Sequence, residues 1–214
     1  MKYVVVAGNT GVGKSTLVKR LSNALVQNGV ETIAIDEREF HHPMLGRMFA
    51  EPPRWASLVQ LNFLIQRAMR LLRLAEVSGE DTVVIMERHV GEDPLFLEYY
   101  ARAGAVTNDA RQGYEYILRD IEARLPTPCV LVYLRAPLEV AVERIRRGIE
   151  LGERVKEHEP DSLPRYVEKM NSIYAEWAAR ARFDHGDRFF EPAYGESIDV
   201  TAERVLAKIN GVRV

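Results

Sequence analysis

The chain has 214 residues, the length of one ordinary domain, and it can bury roughly 70% of the surface that its unfolded form exposes, so it needs no disulfide or metal staple. Its 29 Lys and Arg against 31 Asp and Glu leave a formal charge of −2, which excludes the basic field that holds a duplex by counterion release; no nucleic-acid partner is expected. One cysteine, Cys129 in the apolar run CVLVYL, excludes an intramolecular disulfide framework and a Cys-rich metal site, reads as core and suits a reducing compartment. The opening MKYVVVAG is too short for a signal-peptide core and no run approaches about 18 apolar residues, so a cytoplasmic protein with no membrane partner is expected.

The first apolar run, Lys2 to Ala7, has the length of a strand buried in a parallel sheet, and it leads directly into Gly8-Asn9-Thr10-Gly11-Val12-Gly13-Lys14-Ser15 and Thr16. This is the P-loop pattern in the context it requires, after a strand and before a helix. The glycines let backbone N–H groups crowd around phosphate oxygens, and the helix N-terminus adds partial positive charge. Lys14 can reach the β and γ phosphates and Ser15 can ligate Mg²⁺, so ATP or a related triphosphate with Mg²⁺ is the expected cofactor. The helix, Lys14 to Asn28, stops at Gly29. A second strand, Thr32 to Asp36, delivers Glu37, a carboxylate placed to accept the proton of an acceptor hydroxyl during phosphoryl transfer. The longest helical pattern, Trp55 to Val77, carries Leu58, Leu61, Leu64 or Ile65, Ala68, Leu71 or Leu72 and Ala75 at spacings of three and four, a wide apolar stripe.

The third strand, Thr82 to Met86, ends at Glu87-Arg88, where Glu87 can orient Mg²⁺ and Arg88 can contact the transferred phosphoryl group. Helices from Pro94 to Ala103 and Ala110 to Ala123 lead to a fourth strand, Cys129 to Leu134, followed by Arg135. Ligands of open α/β sheets lie beyond the carboxyl ends of the strands, so these acids and arginines are expected to converge with the P-loop on one cleft. A helix from Pro137 to Arg147 is expected to close at Gly148, with Arg144, Arg146 and Arg147 at its end and Arg154 and Lys156 beyond it. The polar stretch from Gly148 to Asp161 reads as part of a lid, about 144–160, whose arginines stabilise charge and exclude water. A helix from Ser162 to Arg182, a short strand from Arg188 to Phe190 and a helix from Ser197 to Ile209 complete the chain. With no repeat or linker, residues 1–214 read as one α/β domain: a P-loop NTPase fold, a five-stranded parallel sheet with helices on both faces. The absence of an NKxD base-reading sequence argues against a GTPase.

From the P-loop to about Trp177 the chain resembles the deoxynucleoside kinase family. GNTGVGKST looks like the family's P-loop, and Glu37 followed six residues later by Pro43 resembles the catalytic-glutamate segment of its bacterial members. Pro53-Arg54-Trp55 through Gln60 to Arg67 is similar to the family's base-binding helix, and Glu87-Arg88-His89-Val90-Gly91-Glu92-Asp93 to its ERS motif, with His89 where Ser is usual. The resemblance implies transfer of the γ-phosphoryl group of ATP to the 5′-hydroxyl of a deoxynucleoside. Glu37 is then the general base, Lys14, Arg88, Arg144 and Arg147 surround the phosphoryl group, and Trp55, Gln60 and the Arg67–Asp93 pair belong to the acceptor site. A nucleoside monophosphate kinase of the thymidylate-kinase kind is the rival, but an ionised phosphate acceptor has little need of Glu37. A non-catalytic regulatory module would have no use for Lys14, Ser15, Glu37, Glu87 and Arg88 together. Two departures stand out: Phe49 replaces the family's Tyr, whose hydroxyl binds the sugar 3′-OH, and the lid's RGR becomes Arg147-Gly148-Ile149, leaving Glu150 and Glu153 as candidates for the lid acid. The stripe on the Trp55 to Val77 helix, with the Ser162 to Arg182 helix beside it, predicts a homodimer through a helical interface, as the resemblance also implies.

Overall fold

A computed structural model describes residues 1–40, 43–153 and 161–211. Its strands are β1 (Lys2–Ala7), β2 (Thr32–Ile35), β3 (Val83–Glu87), β4 (Val130–Tyr133) and β5 (Phe189–Phe190). They form one parallel sheet in the order β2-β3-β1-β4-β5, with β1 at the centre. The helices are α1 (Lys14–Gln27), α2 (Leu45–Ala50), α3 (Pro52–Val77), α4 (Asp93–Arg102), α5 (Asn108–Glu122), α6 (Leu138–Glu150), α7 (Leu163–His185) and α8 (Ile198–Gly211).

Side chains alternate across a strand, and β1 divides accordingly. Tyr3, Val5 and Ala7 join a core with residues of α3, α4, α6 and α7, whereas Val4 and Val6 join one with α1 and α8. Leu17 and Leu21 of α1 are fully buried in the second core. At about 1.5–3 kcal/mol for each such side chain, they pin the helix that follows the P-loop. A third cluster is built from α2, α3, α4 and α5.

Gly29 ends α1 as expected, at φ 75 with Val30 N–H donating to Leu25 O at 3.0 Å. Gly148 does not end α6. It is buried inside the helix, and the stop falls at Gly152, where φ is 70 and Glu153 N–H reaches back to Gly148 O at 2.9 Å. The buried face of α3 is also rotated from the predicted stripe. Val59, Gln60, Leu64, Arg67, Ala68 and Leu71 point inward, while Leu58 is 60% exposed and Ala75 is exposed. Nor does α7 lie beside α3: it packs on α4 and α6, while α3 packs on α4, α2 and α5. Cys129 is half-buried rather than core.

Candidate active site

A cleft of about 880 Å³ runs along the carboxyl edge of the sheet. One wall is the P-loop, from which Thr10, Gly11, Gly13, Lys14, Ser15 and Thr16 face the cleft. The loop's closeness to α6 requires glycine, since a Cβ at Gly11 would lie 2.6 Å from Ala141 O. Gly8, Asn9 and Val12 lie outside the lining and shape the loop from behind. Asn9 Nδ2 donates to Val167 O at 3.1 Å and Asn171 Oδ1 at 2.8 Å, which braces the loop on α7. Lys14 is buried, donates to Asn9 O at 3.0 Å and lies 3.8 Å from the Glu87 carboxylate. Burial and then the Arg88 charge lower its pKa to about 8, although Glu87, Glu37 and Glu92 pull the other way.

Glu37 enters from the end of β2, where the chain turns at once into a short 3₁₀ turn. Asp36 caps that turn by accepting Arg38 N–H at 2.9 Å, and Glu39 accepts Asp36 N–H at 3.1 Å. The Glu37 carboxylate accepts from Arg88 Nε and lies 3.7 Å from Arg67 Nη2, with 31% of its side chain open to the cleft. Burial alone would raise this carboxyl, but Arg88, Lys14 and Arg67 outweigh it and hold it at about 2. It is therefore a carboxylate at every physiological pH.

Arg88 has φ 70, in the left-handed region that costs a non-glycine residue about 1–2 kcal/mol. The turn throws its guanidinium inward. Nη1 donates to the Tyr174 hydroxyl at 2.6 Å, Nη2 to Thr10 Oγ1 at 3.5 Å, and the group lies over the Phe96 ring at 4.7 Å. Gln60, Phe49 and the Arg67–Asp93 ion pair also line the cleft, with Arg67 over Phe40 at 5.4 Å and Phe63 at 5.6 Å. Burial pushes the Asp93 carboxyl up to about 6 against the pull of Arg67. His89, in the position of the family's Ser, serves as a cap: its Nδ1 accepts Gly91 N–H at 3.0 Å, and burial lowers its pKa to about 3.

Not every expected residue arrives. Trp55 is half-buried outside the cleft lining, under the guanidinium groups of Arg54 and Arg47 at 5.1 and 5.9 Å. Arg135 pairs with Glu191 at 2.6 Å instead of facing the cleft. Arg144 does line it, with Nη1 donating to Gly11 O at 3.3 Å, but Arg147 lies with Arg146 and Glu150 in a separate groove of about 710 Å³. The reason is helical phase: Ala141 abuts the P-loop, and six residues on is about 120° around the axis. Glu153 lines the cleft and Glu150 does not, which separates the two lid candidates; Arg154 and Lys156 lie outside the described residues.

Ser15 and Glu87 open onto the same cleft, and a hydroxyl with a carboxylate is a donor set suited to Mg²⁺, which keeps waters and phosphate oxygens as its other ligands. Among the described residues no cluster of three His, Cys, Asp or Glu could form an all-protein metal cage. Sequence reasoning left out Phe63, Phe96 and Tyr100, which helical spacing could have found: they follow Gln60 by three residues and Asp93 by three and seven, on the faces that carry those residues into the cleft. It also gave no role to Glu92, whose spacing of three from His89 is that of a capping box, or to Tyr174, which carried no local signal.

A P-loop beside a carboxylate-bearing strand end and an aromatic acceptor pocket defines a phosphotransferase of the P-loop kinase class. A family profile described as "Deoxynucleoside kinase" matches residues 4–205, and the chain belongs to that family of ATP-dependent phosphotransferases. It is 29% identical over 177 residues to the deoxyadenosine/deoxycytidine kinase of Bacillus subtilis strain 168, covering 81% of this chain and 75% of that one. Deoxyadenosine kinase from M. mycoides with the products dCMP and a flexible dCDP has the same fold, with TM-score 0.75 and 21% identity over 98% of this chain and 100% of that one. The same enzyme with bound dATP gives TM-score 0.73 and 20% identity over 97% and 99%. No helix among the described residues is long and apolar enough to cross a membrane.

Proposed function

We propose that this chain transfers the γ-phosphoryl group of ATP to the 5′-hydroxyl of a deoxynucleoside, with Glu37 as the general base. The carrying observation is the place of the Glu37 carboxylate: bonded to Arg88 and close to Arg67, in the cleft that the P-loop shares with Gln60 and Asp93. The P-loop N–H groups and Lys14 grip the β and γ phosphates, while Arg88 and Arg144 stabilise the charge that spreads over the transferring oxygens. Glu37 takes the proton as the 5′-oxygen bonds to the γ-phosphorus and the bond to the β–γ bridging oxygen breaks, ADP leaving, when that hydroxyl has become acidic enough to yield it even to a weak base. Ser15 and Glu87 would hold Mg²⁺, which when bound neutralises charge on the β and γ phosphate oxygens. A monophosphate acceptor would bring a dianion against the ionised Glu37, so a nucleoside fits better.

The relatives named for deoxyadenosine and deoxycytidine act on bases that carry an exocyclic amino group, and Gln60 Oε1 and the Asp93 carboxylate supply acceptors for such an edge. We assign Glu153 to the sugar side of the lid, and residues 1–214 to a single cytoplasmic domain. The homodimer is carried by α3 and α5, which touch and expose Leu58, Ile65 and Met69 on one and Tyr116 and Ile117 on the other. A panel of nucleosides and nucleoside monophosphates with ATP and Mg²⁺ tests the acceptor assignment. Formation of deoxyadenosine or deoxycytidine 5′-monophosphate supports it, and turnover of monophosphates alone overturns it.

A further inference from the structure

Behind the cleft lies a polar pair, Glu92 and Tyr174, whose own side chains do not line it. Glu92, with no exposed surface, is an acceptor for three groups at once: Gly8 N–H at 3.0 Å and the Tyr174 hydroxyl at 3.0 Å on Oε1, and His89 N–H at 2.6 Å on Oε2. Tyr174, also fully buried, in turn accepts from Arg88 Nη1 at 2.6 Å. Through Tyr174, one carboxylate thus ties Gly8, the first residue of the P-loop, to the strained residue whose guanidinium is assigned to the phosphoryl group. Arg88 Nη1 itself lies 3.9 Å from Glu92 Oε1, beyond hydrogen-bond reach, so the Tyr174 hydroxyl is the bridge between them.

A buried polar group needs partners, and this cluster satisfies itself. A core asking only for volume at these positions would hold apolar side chains. The polar groups instead fix an angle. Nε of Arg88 is bound to Oε1 of Glu37, which moves a proton in the proposed reaction, so the same guanidinium that meets the base on one side meets Tyr174 on the other. The Nη1 bond to Tyr174 at 2.6 Å is the shorter of the guanidinium's two ties toward the P-loop, beside the direct Nη2 bond to Thr10 Oγ1 at 3.5 Å.

We propose that Glu92 and Tyr174 are positioning residues that hold Arg88 at a set distance from the P-loop, coupling the donor and acceptor halves of the site. The inference rests on the assignment of Arg88 to the transferred phosphoryl group. Tyr174→Phe keeps the ring and removes the hydroxyl, and Glu92→Gln keeps the shape while setting an amide donor against one of its three donors; the second serves if the first does not fold.

The test is a double-mutant cycle with Arg88→Lys, which cannot make the Nη1 bond, read as kcat with labelled ATP beside the Kd for ATP and the thermal midpoint. Tyr174→Phe is expected to lower kcat about tenfold in the wild-type background, with the Kd for ATP unchanged within about twofold, and to have no further effect on kcat in the Arg88→Lys background. An equal loss in both backgrounds, or a loss that follows the thermal midpoint alone, overturns the positioning role while leaving the kinase reading in place. Wild-type turnover by Arg88→Lys removes Arg88 from the transition state, and the inference falls with it.

Discussion

Lys14 carries the most quantitative consequence of burial in this site. Its ammonium is enclosed in the cleft, where burial and the neighbouring Arg88 charge lower its pKa to about 8. The neutral fraction is then about a tenth at pH 7, about half at pH 8 and about nine-tenths at pH 9. A bound triphosphate places several negative charges against the amine and returns its pKa to the ordinary lysine range or above. Because the free enzyme holds the proton more weakly than the complex, binding takes protons up: about 0.5 per site at pH 8 and about 0.9 at pH 9. The same linkage weakens affinity as pH rises, by about tenfold between pH 7 and pH 9, or ~1.4 kcal/mol. Titration calorimetry of ATP in two buffers of different ionisation enthalpy measures the uptake directly, and the free triphosphate is fully ionised above pH 8. Lys14→Met should abolish the buffer dependence. A buffer-independent enthalpy at pH 8.5, or a dependence that survives in Lys14→Met, would refute the reasoning.

Phe49 lines the acceptor end of the cleft, so Phe49→Tyr should improve kcat/KM for a 3′-hydroxyl acceptor by about two- to tenfold and leave its 3′-deoxy analogue unchanged; equal effects on both would mean that position 49 does not face the sugar. Met69 is 66% exposed on the apolar flank of α3, and Met69→Glu should convert a dimer to a monomer in sedimentation at micromolar protein without lowering the thermal midpoint of the fold. A wild-type monomer under the same conditions would contradict the dimer. Leu21 is fully buried on the inner face of α1, and Leu21→Ala should cost about 2–5 kcal/mol in urea unfolding; a loss below ~1 kcal/mol would mean that α1 is not anchored as described.

The features legible in the sequence are those that backbone chemistry enforces locally. Gly8 to Ser15 can bind phosphate only between a strand and a helix, and β1 has the bounds expected of it, Lys2 to Ala7. Glu37 and Glu87-Arg88 were findable because strand ends in a parallel sheet share one edge. What periodicity missed has equally local causes. The inward face of α3 includes Gln60 and Arg67, two polar residues that belong to the site, so an apolar stripe drawn through the same helix settles on Leu58 and Ala75 instead. Gly148 looks like a helix stop, but a glycine inside a helix is permitted where it is buried, and Gly152, about one turn further on, takes the left-handed conformation. Arg147 matches the lid pattern by spacing from Arg144, yet its phase on α6 turns it into a second groove. The Glu92 and Tyr174 contacts join residues 82 positions apart, and no linear pattern announces such a pair.

The central claim, that Glu37 moves the acceptor proton in a cleft that binds ATP independently of it, is tested most directly by Glu37→Gln. The carboxamide preserves shape and removes the base. The account predicts a kcat lowered by about 10²- to 10⁴-fold in a coupled assay with ATP and deoxyadenosine, with the Kd for ATP changed by no more than about twofold. A Gln variant that turns over at the wild-type rate would take Glu37 out of the mechanism.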